Sequence, residues 1–479
     1  MNFVPCLTWV KRGVSKSNPE KVRLLKDQLK ELIEADSAAT GNPDDKQDEE
    51  HGTVADADDI TAKYGLDTYD DEDDAPTAMS SLAGLAMYAS NADDPYLEQG
   101  DDEESEEEVD DFTIRPTDNL ITVARVDEQS CATVEVYVNN HHEDHLYVHH
   151  DIILPAYPLC IEWLSFDPAE ESGAGNFVAI GDMHPIINVW DLDIVDTLEP
   201  AYKLGKKTKK KKAKKVVAMK QHEDAVLSLS WNKQAKNLLV SGSADYKALV
   251  WDLSSGVPTS CISAHREKVQ SVMWHPFEAY TLLTGGCDNA VKLWDSRNIS
   301  AGCKTWTLDG EVEKVLWNHF DPFYFYASTD AGRVYGFDAR MDQPAFTLSA
   351  HTKAVSGMVL SAHCPGCLIT ASEDKSLKVW DVLDHKPTFV FEKENLKVGS
   401  VLALANSPDE PFVVAVGGDD KAHGFAVVDL KDWTSLSRFE GRKLLSADLG
   451  PSLGDTPMEM DAPAGALTEL SLEDAEGNQ

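Results

Sequence analysis

Histidine, a hydroxyl and aspartate recur at fixed separations in this 479-residue chain. The sets are His222, Ser241 and Asp245, then His265, Thr284 and Asp288, then His351, Thr370 and Asp374. Histidine next to a carboxylate is what general acid–base catalysis uses, because the carboxylate orients the imidazole and stabilises its charged form. The residue types therefore invite a catalytic dyad. Their spacing argues the other way. Each set is followed by a tryptophan (Trp251, Trp294, Trp380); the first two sets lie 43 residues apart and the third two such steps further on. An active site is not normally built three times in one chain. A structural unit is.

The elements that position these residues can be read inside one unit. In 265–295 an apolar strand, Val269–Trp274, precedes Tyr280–Thr284; a Gly-Gly-Cys-Asp-Asn turn then leads to Ala290–Trp294, alternating with the strand period of two. Gly285 and Gly286 give the turn permissive backbone, and Asp288 can bond local amides. Trp251, Trp294, Phe337 and Trp380 are each followed by aspartate, every pair 43 residues from the next, and Trp231, Trp274 and Trp317 keep the same step. A Trp-Asp signature with this period marks a four-stranded propeller blade. Seven units follow: 119–154, 160–221, 222–264, 265–307, 308–350, 351–393 and 398–440, with eight left open by the degenerate ends. The unit at 308–350 has Leu308, Ala327 and Phe337 in the His, Ser/Thr and Trp columns. Neighbouring repeats can carry such a blade. Ring closure calls for a strand from near 112–126 or 436–446.

These units strongly resemble WD-repeat proteins. That resemblance implies that His265, Thr284, Asp288 and Trp294 form a buried hydrogen-bonded tetrad, as do the sets ending in Trp251 and Trp380. A buried network of this kind must be fully satisfied or it costs stability. The expected fold is all-β: a seven-bladed propeller over 112–446, between an N-terminal segment, 1–33, and charged extensions.

Charge is unevenly placed along the chain. The net charge is −40, yet 34–111 holds 28 acids against Lys46 and Lys63, and 447–479 holds 8 acids and no Lys or Arg. Both tracts read as disordered, with an apolar island at 77–97 that suits partner docking. The opposite charge appears once, as KKTKKKKAKK: Lys206, Lys207, Lys209, Lys210, Lys211, Lys212, Lys214 and Lys215. It falls in an insertion, 203–215, read as lying between a third strand at 187–194 and a fourth at 216–220, on the wider rim. Such a run reads as a nuclear address or a solvated loop, with RNA or DNA contact a third reading. Interleaved aromatics or arginines, which would support base stacking, are absent there.

Near the N-terminus, Asn18-Pro19-Glu20 reads as a helix start, with Val22, Leu25, Leu29, Leu32 and Ile33 at helical spacing. Ahead of it lies an apolar extended segment, 3–10.

Sharper sites find little support. Cys364 and Cys367, with His363 adjacent, form one CxxC, but structural zinc needs four ligands and Pro-Gly is an ordinary turn. His141, His142, His145, His149 and His150 would be split between two faces by strand alternation. Ser105, followed by Glu108, and Ser471, followed by Asp474, fit an acidophilic kinase of the casein kinase II type. No nucleotide loop, metal-ligand spacing or nucleophile motif is present, so no cofactor is expected and the chain does not read as an enzyme. No apolar run approaches the roughly 18 residues of a membrane span, and the eight cysteines form no evenly spaced disulfide framework.

The order of features carries a narrower resemblance. A CLTWV start, a helix opening at proline, an acidic tract, HLYVHHDIILPAYPLCIEWL, the lysine insertion and then regular repeats resemble the periodic tryptophan protein 1 family nearly end to end. That resemblance implies a non-catalytic protein of the nucleus and nucleolus, associated with ribosome biogenesis, ribosomal RNA transcription and chromatin. The expected mode is a scaffold, monomeric within larger assemblies, binding basic partners such as histones or ribosomal proteins through a propeller face and the acidic tract. A direct RNA-binding factor using 206–215 and a ubiquitin-ligase substrate adaptor are the competing classes.

Overall fold

Runs of alternating apolar residues separated by tight turns pair into seven antiparallel sheets arranged as a β-propeller. The computed structural model describes residues 3–21, 112–430 and 437–442, apart from short gaps at 128–130, 142, 170–173, 206–220, 385 and 395. Blades 3 to 6 each take four consecutive strands: Val226–Trp231 to Val257–Ile262, Val269–Trp274 to Lys304–Thr307, Val312–Trp317 to Pro344–Ser349, and Gly357–Leu360 to Thr388–Glu394. Blade 2 comprises Pro158–Leu164, Phe177–Asp182, Ile187–Asp191 and Tyr202–Leu204; blade 7 has three described strands, Val401–Asn406, Val413–Gly418 and Phe425–Asp429.

Blade 1 corrects the expected closure of the ring. Its outer three strands, Asn119–Val126, Ala132–Asn140 and His145–Leu154, are preceded in the sheet by Phe3–Val10, which pairs antiparallel with Asn119–Val126. The strand that completes blade 1 is thus the apolar N-terminal segment; the strand expected from 112–126 is its partner, Asn119–Val126, and 443–446 lies outside the described residues. The reason is packing on both faces. Val4, Leu7 and Trp9 pack with Ala403, Val413 and Ala415 of blade 7, while Cys6 and Val10 join Ile161, Val178 and Trp190 of blade 2. The Trp9 indole donates to the Ala405 carbonyl (3.2 Å), and Arg12 pairs with Glu410 (3.4 Å). Burying side chains of this size contributes on the order of 2 kcal/mol each, so the strand belongs to the propeller, and a boundary drawn at 33 or 112 divides blade 1.

Asn18–Glu20 is not a helix start. The Glu20 amide donates to the Asp193 carbonyl (2.8 Å), and Glu20–Lys21 is a two-residue strand paired with Ile194–Val195. The helical spacing at 22–33 lies outside the described residues, as do the acidic tracts. Blade 2 is also corrected: its fourth strand is Tyr202–Leu204, paired with Ile187–Val189, in place of 216–220.

Candidate functional site

The His, hydroxyl, Asp and Trp columns meet at one end of their blades, hereafter the His-Asp face; the opposite, Trp-Asp face carries the ends of the third strands. In blade 4 the Trp294 indole nitrogen lies 3.0 Å from Thr284 Oγ1, which lies 2.7 Å from His265 Nε2, and His265 Nδ1 lies 2.9 Å from Asp288 Oδ1. The indole can only donate and the ionised carboxylate can only accept, so Nδ1 of a neutral His265 carries the proton and its Nε2 accepts. Trp294 donates to Thr284, Thr284 donates to His265 Nε2, and His265 donates through Nδ1 to Asp288.

Blade 3 repeats the chain through Trp251, Ser241, His222 and Asp245 at 2.7, 2.7 and 3.0 Å. Blade 6 repeats it through Trp380, Thr370, His351 and Asp374 at 3.0, 2.8 and 3.1 Å. Each aspartate also accepts from the amide after its histidine: Glu223, Arg266 and Thr352. The residue after it, Tyr246, Asn289 or Lys375, takes a left-handed φ of 60° to 70° to close the turn. That conformation costs a side-chain-bearing residue energy, which the bonds of the network offset.

The wiring matches the hydroxyl–imidazole–carboxylate order of a hydrolase, yet it cannot act as one. The hydroxyl that would attack is already bonded to an indole and fully buried, as are the three imidazole side chains. Electrostatics agree. Burial lowers the His265 and His351 pKa values against the opposing pull of Asp288 and Asp374, so both rings are neutral. Burial alone would raise Asp374, but the Thr352 amide, the Ser376 hydroxyl and His351 outweigh it and bring it to about 2.

Blade 5 has no polar network in these columns. Leu308, Ala327 and Phe337 are buried there with Trp306 and Phe325, the two phenyl rings stacked at 5.0 Å. Gly332, at φ 77°, replaces the strained residue of the turn; a Cβ there would meet the His351 carbonyl oxygen at 2.2 Å. In blade 2 the Trp190 indole nitrogen is buried without a partner.

The other sequence candidates are dispersed. The lysine run lies outside the described residues, but its roots are placed. A Cβ on Gly205 would lie 3.0 Å from that of Gln221, beside His222. The two roots therefore lie together between the fourth strand of blade 2 and the first of blade 3, and not between a third and a fourth strand; Gly205 N also donates to the Gly256 carbonyl (3.4 Å), in the hairpin after blade 3's third strand. Ser105, Ser471 and His142 are outside the described residues. Cys364 and Cys367 are buried, form no disulfide and are bridged by a turn, with Cys367 N donating to Cys364 O (3.2 Å). His149 and His150 face each other with Nδ1 atoms 2.8 Å apart, and His149 Nε2 lies 3.0 Å from the Phe112 carbonyl oxygen. Burial lowers both, His150 to about 4. His141 instead meets Asp429 of blade 7 (2.8 Å).

Sequence reasoning missed a second repeating unit on the Trp-Asp face. Asp295 and Asp338 are gripped through two nitrogens by Arg297 and Arg340, whose guanidinium groups lie 4.9 and 4.4 Å from the rings of Tyr280 and Phe323. Both pairs keep the step of 43 and were legible in principle. In blade 6 the arginine column holds Leu383, and Asp381 is bound by Arg438 (3.0 Å) and Arg442 (2.8 Å) from beyond blade 7.

Seven antiparallel blades, three of them closed by this bonded set, define the WD-repeat class, and the WD domain, G-beta repeat family matches at residues 213–252, 256–295 and 342–381. Full-length relatives narrow the class. The chain is 36% identical to the Periodic tryptophan protein 1 homolog of Drosophila melanogaster, over 92% of this chain and 97% of that protein. It is 32% identical to Periodic tryptophan protein 1 of Saccharomyces cerevisiae, over 93% and 90%. An uncharacterized WD repeat-containing protein of Schizosaccharomyces pombe is 38% identical over 87% of each chain. The chain belongs to the periodic tryptophan protein 1 family.

Proposed function

We propose that this chain is a non-catalytic scaffold of the nucleus and nucleolus, serving ribosome biogenesis and ribosomal RNA transcription in association with chromatin, as its family resemblance implies. The observation that carries the non-catalytic part is the burial of every His–hydroxyl–Asp set in a closed bond chain ending on an indole. No nucleophile in these sets is left to react.

Binding then falls to the surface and to the charged tracts. The 28 acids of 34–111 attract basic protein partners, histones or ribosomal proteins, over a range set by salt. The propeller's His-Asp face supplies the docking platform. Comparing binding of core histones and of basic ribosomal proteins to the intact chain and to a 34–111 deletion tests this. The reading expects a loss of affinity on deletion that is largest at low salt; unchanged binding at low salt would remove the tract from the account.

A second reading gains from the roots of the lysine insertion lying next to His222, since a basic loop leaving from there is able to touch RNA while the His-Asp face holds protein. Crosslinking to RNA that persists in the intact chain and vanishes without 206–215 would favour it.

A further inference from the structure

Phe3–Val10 of blade 1 and the first strands of blades 2 to 7 each touch the next, closing a ring around the propeller axis. Strand register places Lys314 of blade 5 level with Cys6, Cys160, Ser228, Ser271, Gly357 and Ala403 of the other blades, those six each opposite an alanine or glycine of the neighbouring strand. The six are small and buried, whereas Lys314 is long and exposed. Solvent at this level of an inner strand is the channel that the ring encloses. Blades 1 and 2 are the two furthest from blade 5 around the ring. Burial raises the Cys6 and Cys160 thiols, and the Lys314 charge opposes it in both. The ammonium therefore reaches into the channel, towards its far wall. Among the described residues it has no hydrogen-bond or ion-pair partner, and Glu313 beside it is turned to Gln270 of blade 4 (3.4 Å).

We propose that the central channel binds a small oxyanion, phosphate or carboxylate, on the Lys314 ammonium. The charge stands between low-dielectric walls, where an anion gains more from it than in open water, and a lysine ammonium is a common holder of phosphate. The short side chains level with it leave space beside it. Ser228 and Ser271 accept from the Val272 and Val315 amides (3.1 and 3.0 Å), so their hydroxyl protons remain to be donated. The two mouths of the channel differ. Towards the His-Asp face Glu313 lies near Asp330 and Glu373, acids that repel an anion. Towards the Trp-Asp face Lys233 follows the inner strand of blade 3, and its charge is felt by Glu162 of blade 2 and His319 of blade 5. Burial pushes Glu162 up to about 7, which weakens its opposition to an anion. The anion enters from this end.

Calorimetric titration of inorganic phosphate and of acetate into the full chain, Lys314→Met, Lys314→Ser and a 206–215 deletion tests this. Methionine keeps the stem of the side chain, and serine matches Ser228 and Ser271. A saturable site should be present in the full chain and survive the deletion, with binding roughly tenfold or more weaker in both Lys314 variants; the tighter anion identifies the source. In the unsubstituted chain, the same anion should slow acetylation of Lys314 by acetic anhydride relative to Lys292, read by peptide mass. Absence of saturable binding by either anion would overturn the proposal. So would binding that is lost with 206–215 and kept in the Lys314 variants, or acetylation of Lys314 that the anion leaves unchanged.

Discussion

Blade 4 ties its strands together at the His-Asp face with His265, Thr284, Asp288 and Trp294, whereas blade 5 carries Leu308, Ala327, Ala331 and Phe337 in the same four columns. The two blades are adjacent and share backbone geometry, including the left-handed turn residue, Asn289 in one and Gly332 in the other. Polar bonds are therefore one of two ways to fill this site. A network of four satisfied groups and a cluster of apolar groups both close the blade, whereas a mixture leaves a buried group unsatisfied, as the Trp190 indole is in blade 2, and costs stability. Identical turns with and without histidine also show that the histidine is not there for chemistry.

The contrast can be broken by creating mixtures. His265→Leu strands the Thr284 hydroxyl and the Asp288 carboxylate, and should cost about 2–4 kcal/mol in denaturant unfolding. The reverse insertion, Leu308→His, buries an imidazole with no hydroxyl or carboxylate in its columns and should cost about 1–3 kcal/mol. Converting blade 4 fully to the blade 5 set (His265→Leu, Thr284→Ala, Asp288→Ala, Trp294→Phe) removes all the partners together. It should cost less than His265→Leu alone, about 1.5 kcal/mol or below; a larger loss would mean that the network contributes more than satisfaction of its own groups.

The smallest effect is in the pH dependence. His265 has a folded pKa below its unfolded value, so its contribution is present above about pH 6.5 and is lost as pH falls. Asp288 is also lowered, so its contribution is lost only further down, below the ordinary carboxylate range. Stability measured from pH 7 to 5 should therefore fall more steeply for the wild-type chain than for the four-fold blade 4 variant. Parallel curves would contradict a neutral, buried His265.

Much of the architecture was legible because the repeat is exact where it matters. A strict step of 43 fixed the strands and turns of blades 3 to 6 and identified blade 5 as the unit without a tetrad. Errors fell where the step stops. Phe3–Val10 sits more than a hundred residues from its partner strand, and nothing local in an apolar run says which sheet it completes. Asn18-Pro19-Glu20 has the composition of a helix cap, but Glu20 bonds to Asp193, a tertiary contact that overrides local preference. The fourth strand of blade 2 is only three residues long, Tyr202–Leu204, too short for its period to show. The latch of Arg438 and Arg442 on Asp381 was illegible for a related reason: it replaces a missing column residue, Leu383, with arginines from outside the repeat.

The central claim is that the recurring His–hydroxyl–Asp sets hold the fold while binding belongs to the charged tracts that interrupt it. Affinity for core histones at low salt, measured side by side for the intact chain, the 34–111 deletion and the four-fold blade 4 variant, tests it most directly. The account predicts unchanged affinity for the folded blade 4 variant and at least roughly tenfold weaker, salt-sensitive binding for the deletion. A folded blade 4 variant that loses binding, beside a deletion that keeps it, would contradict the account.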